Sequence, residues 1–255
     1  MQMKHTTHFV VEPFSEDYAG RLSWGILGNQ LLRCASLHAG SHGFGYEDMV
    51  RDHRVWVLSR LSIHMDEMPT TGCEYEIQTW VSKVYRQFTD RQFAIVGSDG
   101  KVYGYASSTW ALINLDSRSA VDLTGMKDNV LFSFVIDEVA PSPSPARVRI
   151  TSDAPIFTHR AAYTDLDING HVNSIRYIQM ALDCLSEFIY KQNFRVKRVE
   201  VGYAAEGMCG DELQFFANEL TATGGGIEVR NESGTTLAKV NVVLGELHFH
   251  TPSYN

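Results

Sequence analysis

An internal repeat limits the fold of this 255-residue chain more strongly than any other feature of its sequence. The segment Asp17–Ser23 lies 150 residues before a similar segment, Asp167–Asn173. Beyond the next predicted helix the offset becomes 138, which brings Gly72 into register with Gly210. The two offsets differ by 12, so the first copy is predicted to carry a 12-residue insertion between positions 40 and 54. Two copies in one chain predict a tandem fold whose units share one architecture.

Both copies have the same order of predicted elements: a strand, a long helix and a meander of long antiparallel strands. Apolar residues at spacings of three and four predict one helix from Ser23 to about His38 and another from about Asn173 to Tyr190. Alternating apolar and polar residues predict the strands of the first meander, and Ser98–Lys101 has the composition of a hairpin turn. The predicted strands of this meander are 56–64, 74–85, 88–96 and 102–115.

A polar segment stands immediately before the second predicted helix, and it contains Asp167, Asn169 and His171. The first N–H groups of a helix have no intrahelical partner, and the helix macrodipole favours negative charge at this end. A carboxylate, a carboxamide and an imidazole beside such donors could promote attack on a carbonyl and stabilise the resulting oxyanion. The alternative is a capping loop rich in Asp and Asn that has no catalytic role.

The string from Asp165 to Asn173 reads Asp-Leu-Asp-Ile-Asn-Gly-His-Val-Asn, with Tyr177 following, and it resembles the active-site segment of acyl-acyl-carrier-protein (acyl-ACP) thioesterases. That resemblance implies an α+β fold, a tandem (double) hotdog, in which each repeat is a long helix wrapped by a curved antiparallel β-sheet. The first repeat is then expected to cover residues 1–128 and the second, with the catalytic loop, residues 156–255. Residues 129–155 are expected to form a linker between them.

The resemblance also implies a catalytic set, whose members are Asp167, Asn169, His171 and Glu206. The glutamate belongs to a Tyr-Ala-Ala-Glu segment that is similar to the Tyr-Arg-Arg-Glu segment of the family. Either carboxylate could activate water, while the carboxamide could orient that water or polarise the carbonyl. The imidazole could orient the attacking group or shuttle a proton. The backbone N–H groups of Val172 and Asn173 are expected to face the oxyanion.

The first copy lacks this polar set, because Ala19 and Arg21 stand where the second copy has the carboxamide and the imidazole. One active site per chain, in the second repeat, is therefore predicted. A thiol nucleophile is an alternative, in which Cys209 pairs with His171. However, Cys209 lies two positions from the cysteine of the plant members, whose place is taken here by Gly207.

Small residues replace bulky ones on the first predicted helix. Gly25, Gly28 and Ala35 stand where the second helix has isoleucine, isoleucine and leucine. A glycine in a helix interior costs about 1 kcal/mol relative to alanine, so the two glycines need a structural reason. Close packing of the helix on the sheet is one reason. The other follows from the family resemblance, which implies that the first repeat holds the acyl tail of the substrate beside these small residues.

The function implied by the resemblance is hydrolysis of fatty acyl thioesters, first of all acyl-ACP, which releases free fatty acid in fatty acid biosynthesis. The implied partner is acyl carrier protein, which presents the acyl chain on its phosphopantetheine arm, and a homodimer is compatible with this function. An acyl-CoA thioesterase would use the same residues with a different carrier. A non-catalytic acyl-binding hotdog module is a third alternative. A hotdog dehydratase fits less well, because its usual site lacks the Asp-x-Asn-x-His-Val-Asn string.

Composition and charge argue against several other classes of protein. The net charge of −8 and the lack of a long basic run argue against nucleic-acid binding. No run of 18 apolar residues could span a membrane, and residues 1–8 lack the apolar core of a signal peptide, so a cytoplasmic location is expected. The four cysteines show no metal-ligand spacing, so neither a metal nor another cofactor is expected.

Overall fold

The chain folds around one antiparallel sheet of 11 strands. The computed structural model describes residues 4–125, 130–143 and 145–246. Within these ranges the strands are β1 (His5–Val10), β2 (Arg54–Met65), β3 (Glu74–Val84), β4 (Phe88–Gly97), β5 (Val102–Asn114), β6 (Ser119–Ala120), β7 (Phe157–Arg160), β8 (Phe194–Tyr203), β9 (Glu212–Ala217), β10 (Gly224–Arg230) and β11 (Thr236–Glu246). The strands predicted for the first meander are confirmed within one or two residues at each end.

Two long helical segments pack on one face of this sheet. The helices are α1 (Trp24–Gly40), α2 (Tyr46–Arg51), α3 (Val130–Ser133) and α4 (Ser174–Asp183), with a π-helical segment at Glu187–Lys191. The first predicted helix is confirmed as α1, whose N-cap is Ser23. The second is shorter than predicted, because α4 ends at Asp183 and the chain resumes helical geometry only after a turn. No helix in the described ranges is long and apolar enough to cross a membrane.

The order of strands is symmetric about the centre of the sheet when each strand is matched to its counterpart in the other repeat. It is β1-β3-β4-β5-β2 in the first repeat, followed by β8-β11-β10-β9-β7 in the second, with β6 paired to β5. At the centre β2 pairs with β8, and Ser62 lies opposite Glu200, which is its own counterpart at the 138-residue offset. A pseudo-twofold axis therefore passes between these two residues and relates the repeats, as expected for a tandem hotdog.

The two glycines of α1 allow it to approach α4 closely. A Cβ atom built on Gly28 would lie 2.8 Å from Cδ1 and 3.1 Å from Cγ2 of Ile175, and one on Gly25 would overlap the side-chain amide of Gln179. Both glycines face the other helix, and Gly25 also lines a groove beside α4, so their predicted place in an acyl-tail pocket stays a prediction. The close packing proposed for them is present, but it joins helix to helix rather than helix to sheet.

The segment between the repeats crosses the sheet face opposite the two long helices. Val199 and Val201 point into the core with α1 and α4, so the intervening Glu200 points to the other face. There the Glu200 carboxylate accepts a hydrogen bond from the N–H of Ala146 at 3.1 Å. Earlier in the segment, the Trp80 indole donates to the carbonyl of Glu138 at 2.7 Å. The boundary predicted between residues 128 and 129 falls outside the described residues.

We predict that Gly28→Ala lowers the free energy of unfolding by about 1 kcal/mol or more, measured by urea denaturation, because the new methyl group overlaps the buried Ile175. Helix propensity alone would change stability in the opposite direction. Gly40→Ala is the matched control, since a Cβ there meets no atom within 4 Å. Ile175→Val, which removes the closest atom, should restore part of the loss. Equal stabilisation by both alanine substitutions would contradict the helix-contact role.

Candidate active site

The loop before α4 is a tight turn that is closed by the side chain of Asp167. Its Oδ1 accepts hydrogen bonds from the N–H groups of Asn169 at 2.8 Å and His171 at 3.3 Å. Gly170 has a φ of +78°, which favours glycine at this position. This turn brings the Asn169 and His171 side chains to the start of α4, so the Asp167 carboxylate has a structural task in addition to the predicted chemical one.

The first repeat builds the same turn without the same chemistry. Oδ1 of Asp17 accepts from the N–H groups of Ala19 at 2.9 Å and Arg21 at 3.2 Å. The second oxygen of Asp17 pairs with the guanidinium of Arg21 at 2.9 Å. In the described part of the chain, the corresponding oxygen of Asp167 has no such partner. The aspartate that closes the turn is therefore common to both copies. The copies differ in the residues two and four positions after it.

The imidazole of His171 lies beside the carboxylate of Glu206, with 3.6 Å between Nε2 and Oε2. The same carboxylate oxygen lies 3.4 Å from Nη2 of Arg118, which comes from the first repeat. Arg118 has a φ of +53° and ends a turn that Asn114 stabilises by accepting the N–H of Ser117 at 2.8 Å. The family resemblance places His171 and Glu206 in one site, but no local signal in the sequence connects Arg118 to this loop of the other repeat.

The two backbone donors that were predicted to face an oxyanion are already engaged. The N–H of Val172 donates to the carbonyl of Gly207 at 2.8 Å, and the N–H of Asn173 donates to the carbonyl of Asp165 at 2.8 Å. The prediction for this pair therefore disagrees with the hydrogen bonding of the loop. The first bond instead attaches the loop to the segment after β8 that carries Glu206, and the second closes the loop on itself.

Gly207 has no room for the cysteine that plant members have after the glutamate. A Cβ atom there would lie 2.5 Å from the hydroxyl oxygen of Tyr177 and 3.2 Å from Cγ2 of Val172. Cys209 is exposed, while the His171 imidazole lies beside Glu206. Neither observation favours a thiol nucleophile. In the part of the chain that the structure describes, no cluster of His, Cys, Asp and Glu could hold a metal ion.

Asp165 anchors the loop, a role that sequence analysis did not assign. Its side chain is 1% exposed and accepts hydrogen bonds from His159 at 2.7 Å, the N–H of Ala162 at 2.8 Å and Arg176 at 2.9 Å. Burial raises the pKa of this carboxyl, but the hydrogen bonds outweigh burial, and the pKa lies below its usual value. Asp165 thereby ties the loop before α4 to β7 and to the first turn of that helix.

A cavity of about 220 Å³ in the first repeat opens beside the loop that precedes α4 in the second. Ile168 and Asn169 lie at its edge, and Ala35 lies on its wall. Other parts of α1 and the strands β2 to β5 form further walls, and the rest comes from the 12-residue insertion and from the segment between the repeats. The residues that these two segments contribute are Phe44, Gly45, Tyr46, Met49, Leu131 and Phe134.

A second groove is the pseudo-symmetric counterpart of this cavity. The 150-residue offset relates five residues of its lining to five residues that line the cavity. These five are Tyr18, Ala19, Leu182, Ser186 and Ile189. Here the Tyr18 hydroxyl donates to the carbonyl of Ile189 at 2.6 Å and so bridges the groove. The counterpart of Tyr18 at the cavity is Ile168, whose side chain is exposed.

We predict that Asp165→Asn lowers stability at pH 7 by about 2 kcal/mol or more, because buried donors lose an ionised acceptor. The native pKa lies below the unfolded value of about 3.9, so this contribution is complete above that value and disappears as pH falls through the native pKa. The difference between the variant and the parent should therefore shrink on acidification. Asp183→Asn is a control for which the opposite change in stability is expected. Burial raises the pKa of Asp183, so loss of its charge should raise stability at pH 7. Urea titrations from pH 7 to pH 3 would test both, and a pH-independent difference for Asp165→Asn would contradict the assignment.

Comparison with known proteins identifies the family. The acyl-ACP thioesterase N-terminal domain matches residues 2–130, and the C-terminal domain matches residues 152–245. The crystal structure of an acyl-ACP thioesterase from Bacteroides thetaiotaomicron is 44% identical, covers 94% of this chain and 97% of that chain, and superposes with a TM-score of 0.87. A 12:0-ACP thioesterase from Umbellularia californica, at 17% identity, shares the fold with a TM-score of 0.80 over 94% of this chain and 96% of its own.

More distant curated relatives are plant enzymes. Oleoyl-acyl carrier protein thioesterase 1 of Arabidopsis thaliana is 25% identical over 239 residues, which are 88% of this chain and 66% of that protein. The palmitoyl-acyl carrier protein thioesterase of the same plant is 25% identical over 190 residues, 72% of this chain and 45% of that protein. The chain thus spans less than two thirds of the length of these relatives. The two domain matches cover most of its length, and the chain belongs to the acyl-ACP thioesterase family.

Proposed function

We propose that the chain hydrolyses fatty acyl thioesters carried by acyl carrier protein and releases the free fatty acid. The observation that carries this proposal is the junction between catalytic loop and cavity. Asn169 lies at the edge of an apolar cavity in the other repeat, on the same loop as the His171 imidazole that faces Glu206. A thioester carbonyl at this junction would meet the polar groups while its alkyl chain enters the cavity.

The chemistry requires an activated water and stabilisation of an oxyanion. The thiol leaving group has a pKa of about 8.5, so it departs with little help from an acid. In the proposed mechanism Glu206, with His171 beside it, accepts a proton as water adds to the carbonyl carbon. The Asn169 carboxamide donates to the developing oxyanion, which collapses to expel the thiolate. Asp167 holds the turn that positions Asn169 and His171.

An acidic carrier protein would need local positive charge near the cavity, since this chain is itself acidic. α2 carries the exposed side chain of Arg51 together with Tyr46, which lines the cavity. Arg118 is also exposed, beside Glu206. We propose that the carrier approaches over these two arginines. The homodimer and the cytoplasmic location expected from the sequence stay predictions, and light scattering on the purified chain would test the first.

We also propose the division into repeats at 1–128 and 156–255, joined by 129–155. The matched pattern of elements supports it, because β1, α1 and β2–β5 have counterparts in β7, α4 and β8–β11. The cavity then belongs mainly to the first repeat, and the reacting groups to the second.

We predict that Asn169→Ala, His171→Ala and Glu206→Ala each lower kcat on acyl-ACP by about 10²-fold or more, because each removes a group proposed to act on the reacting atoms. Asp167→Ala should lower both kcat and thermal stability. Asp17→Ala is its matched control, since it loses the same turn bonds in the copy without the polar set. It should lower stability and spare kcat.

Turnover of acyl-ACP and acyl-CoA with the same acyl chain would identify the carrier, and circular dichroism would verify that each variant is folded. Cys209→Ala is expected to retain activity. Loss of activity in a folded Cys209→Ala protein would replace the carboxylate mechanism with a thiol mechanism. Binding of acyl chains without turnover of either carrier would favour a non-catalytic module.

We predict that Ala35→Leu and Ser36→Leu move the preferred substrate towards shorter chains, because both residues line the cavity. Each methylene excluded from an apolar pocket should change selectivity by roughly 1 kcal/mol. Ser186→Leu is the matched control, since Ser186 is the counterpart of Ser36 and lines the second groove instead. Competition assays with acyl-ACPs of several lengths would measure the shift. An unchanged length profile in folded Ala35→Leu and Ser36→Leu proteins would place the tail elsewhere.

A further inference from the structure

We propose that Arg91 makes this cavity specific for acyl chains that carry an oxygen atom, such as a hydroxyl, keto or carboxylate group. This inference rests on the proposed function, because it defines the class of acyl chain that the same site accepts. It depends on a buried guanidinium on the cavity wall whose described partners are all uncharged.

Arg91 lies on β4 and lines the cavity. Its side chain is among the most deeply buried charged groups of the chain, with 6% exposure for the whole residue. Nη1 donates to Nδ1 of His38 at 2.8 Å and to the hydroxyl of Thr79 at 3.2 Å. A guanidinium has five N–H donors, and these two bonds account for the two on Nη1. Three donors, on Nε and Nη2, are left for other acceptors.

The charge of Arg91 is not balanced by an acid. Burial lowers its pKa to about 10, so the group stays protonated at neutral pH. Burial, followed by the charge of Arg91, lowers the pKa of His38 to about 3, so the imidazole is neutral and can accept at Nδ1. In the described ranges no carboxylate lies within 4 Å of the guanidinium nitrogens. A buried charge without a counterion is costly, and an oxygen acceptor from a ligand would offset part of that cost.

The second repeat shows that the fold does not need this polar group. Thr79 faces Phe93 across β3 and β4, and its counterpart Ala217 faces Ile227 across β9 and β10. Arg91 therefore corresponds to Gly225, where the side chain of Leu220 occupies the space beside the backbone. By the 150-residue offset, His38 corresponds to a phenylalanine at position 188. The cluster is thus confined to the repeat that contains the cavity.

An oxygenated chain could supply an acceptor to the remaining N–H donors of Arg91, whereas a plain alkyl chain has no acceptor to offer. Sites built to hydrogen-bond a substrate group reject the analogue that lacks it, because their own buried polar atoms then stay unpaired. The cavity also contains the hydroxyls of Ser36 and Thr89. These groups could orient the same oxygen, but only Arg91 brings a charge.

The test compares octanoyl thioesters of acyl carrier protein that differ only in oxygenation. One set carries no substituent, one a keto or hydroxyl group near the thioester, and one a hydroxyl or carboxylate at the chain end. We expect the native protein to favour at least one oxygenated substrate over the plain chain by about tenfold or more in kcat/KM. Arg91→Met should abolish that ratio and raise turnover of the plain chain. Arg91→Lys, which keeps the charge, should retain part of it.

Lys83→Leu is the charge-matched control, because it removes an exposed cation from the neighbouring strand β3 and should leave the ratio unchanged. A native preference for the plain chain, or an unchanged ratio in folded Arg91→Met, would overturn the proposal. If Arg91→Met does not fold, the native preference and its change in Arg91→Lys decide the matter.

Calorimetric binding of non-hydrolysable S-octyl pantetheine thioethers, with and without an oxygen group on the octyl chain, separates this inference from the proposed hydrolysis, because the plain thioether carries no carboxylate. Tighter binding of an oxygenated thioether, by about tenfold, with no turnover of any thioester would support the role of Arg91 and refute the hydrolase. Turnover without any preference for oxygenated substrates or thioethers would refute the role of Arg91 and support the hydrolase.

Discussion

The antiparallel pairing of β2 with β8 is the interaction on which the rest of the structure depends. Because Ser62 lies opposite its own counterpart Glu200, the pairing relates the two repeats by a pseudo-twofold axis, although their sequences differ. The same relation brings α1 against α4, and each loop that precedes a helix then lies beside the helix of the other repeat. The position of the His171 loop beside a cavity of the other repeat is therefore a consequence of the strand register rather than of the loop alone.

Symmetry of this kind creates two equivalent half-sites, and side chains decide which one can function. Both copies close the turn with an aspartate, so the turn itself does not distinguish them. In the first copy Arg21 neutralises that aspartate, and Tyr18 bridges the groove. In the second copy His171 lies beside Glu206, which leaves an acid and an imidazole at an open edge. The two half-sites therefore share a framework and differ in the polar side chains that it carries.

The sequence predicted what depends on local periodicity and on the repeat: the strands, α1, the insertion and the polar loop. It could not predict contacts between distant segments. The approach of Gly28 to Ile175 needs the helices to be placed, and Arg118 reaches Glu206 only because the sheets join. The hydrogen bond from the Val172 N–H to the Gly207 carbonyl likewise depends on tertiary structure. From the sequence alone, an N–H at the start of a helix is expected to have no partner. The insertion was located correctly, yet its role as a cavity wall depended on α2, which the sequence did not indicate.

Part of the cavity wall comes from segments that have no counterpart in the other repeat, or from positions at which the two repeats differ. α2 lies in the insertion, Leu131 and Phe134 lie between the repeats, and Arg91 replaces a glycine of the other copy. None of these residues belongs to the β2–β8 seam or to the contact between α1 and α4. Substitutions among them can change the length and polarity of the cavity without disturbing the contacts that hold the repeats together. The loop that carries His171 is less free to vary, because Asp165 ties it to the helix that packs on α1. Under the proposed function, selectivity for the acyl chain could therefore diverge within this fold while the groups proposed to react stay in place.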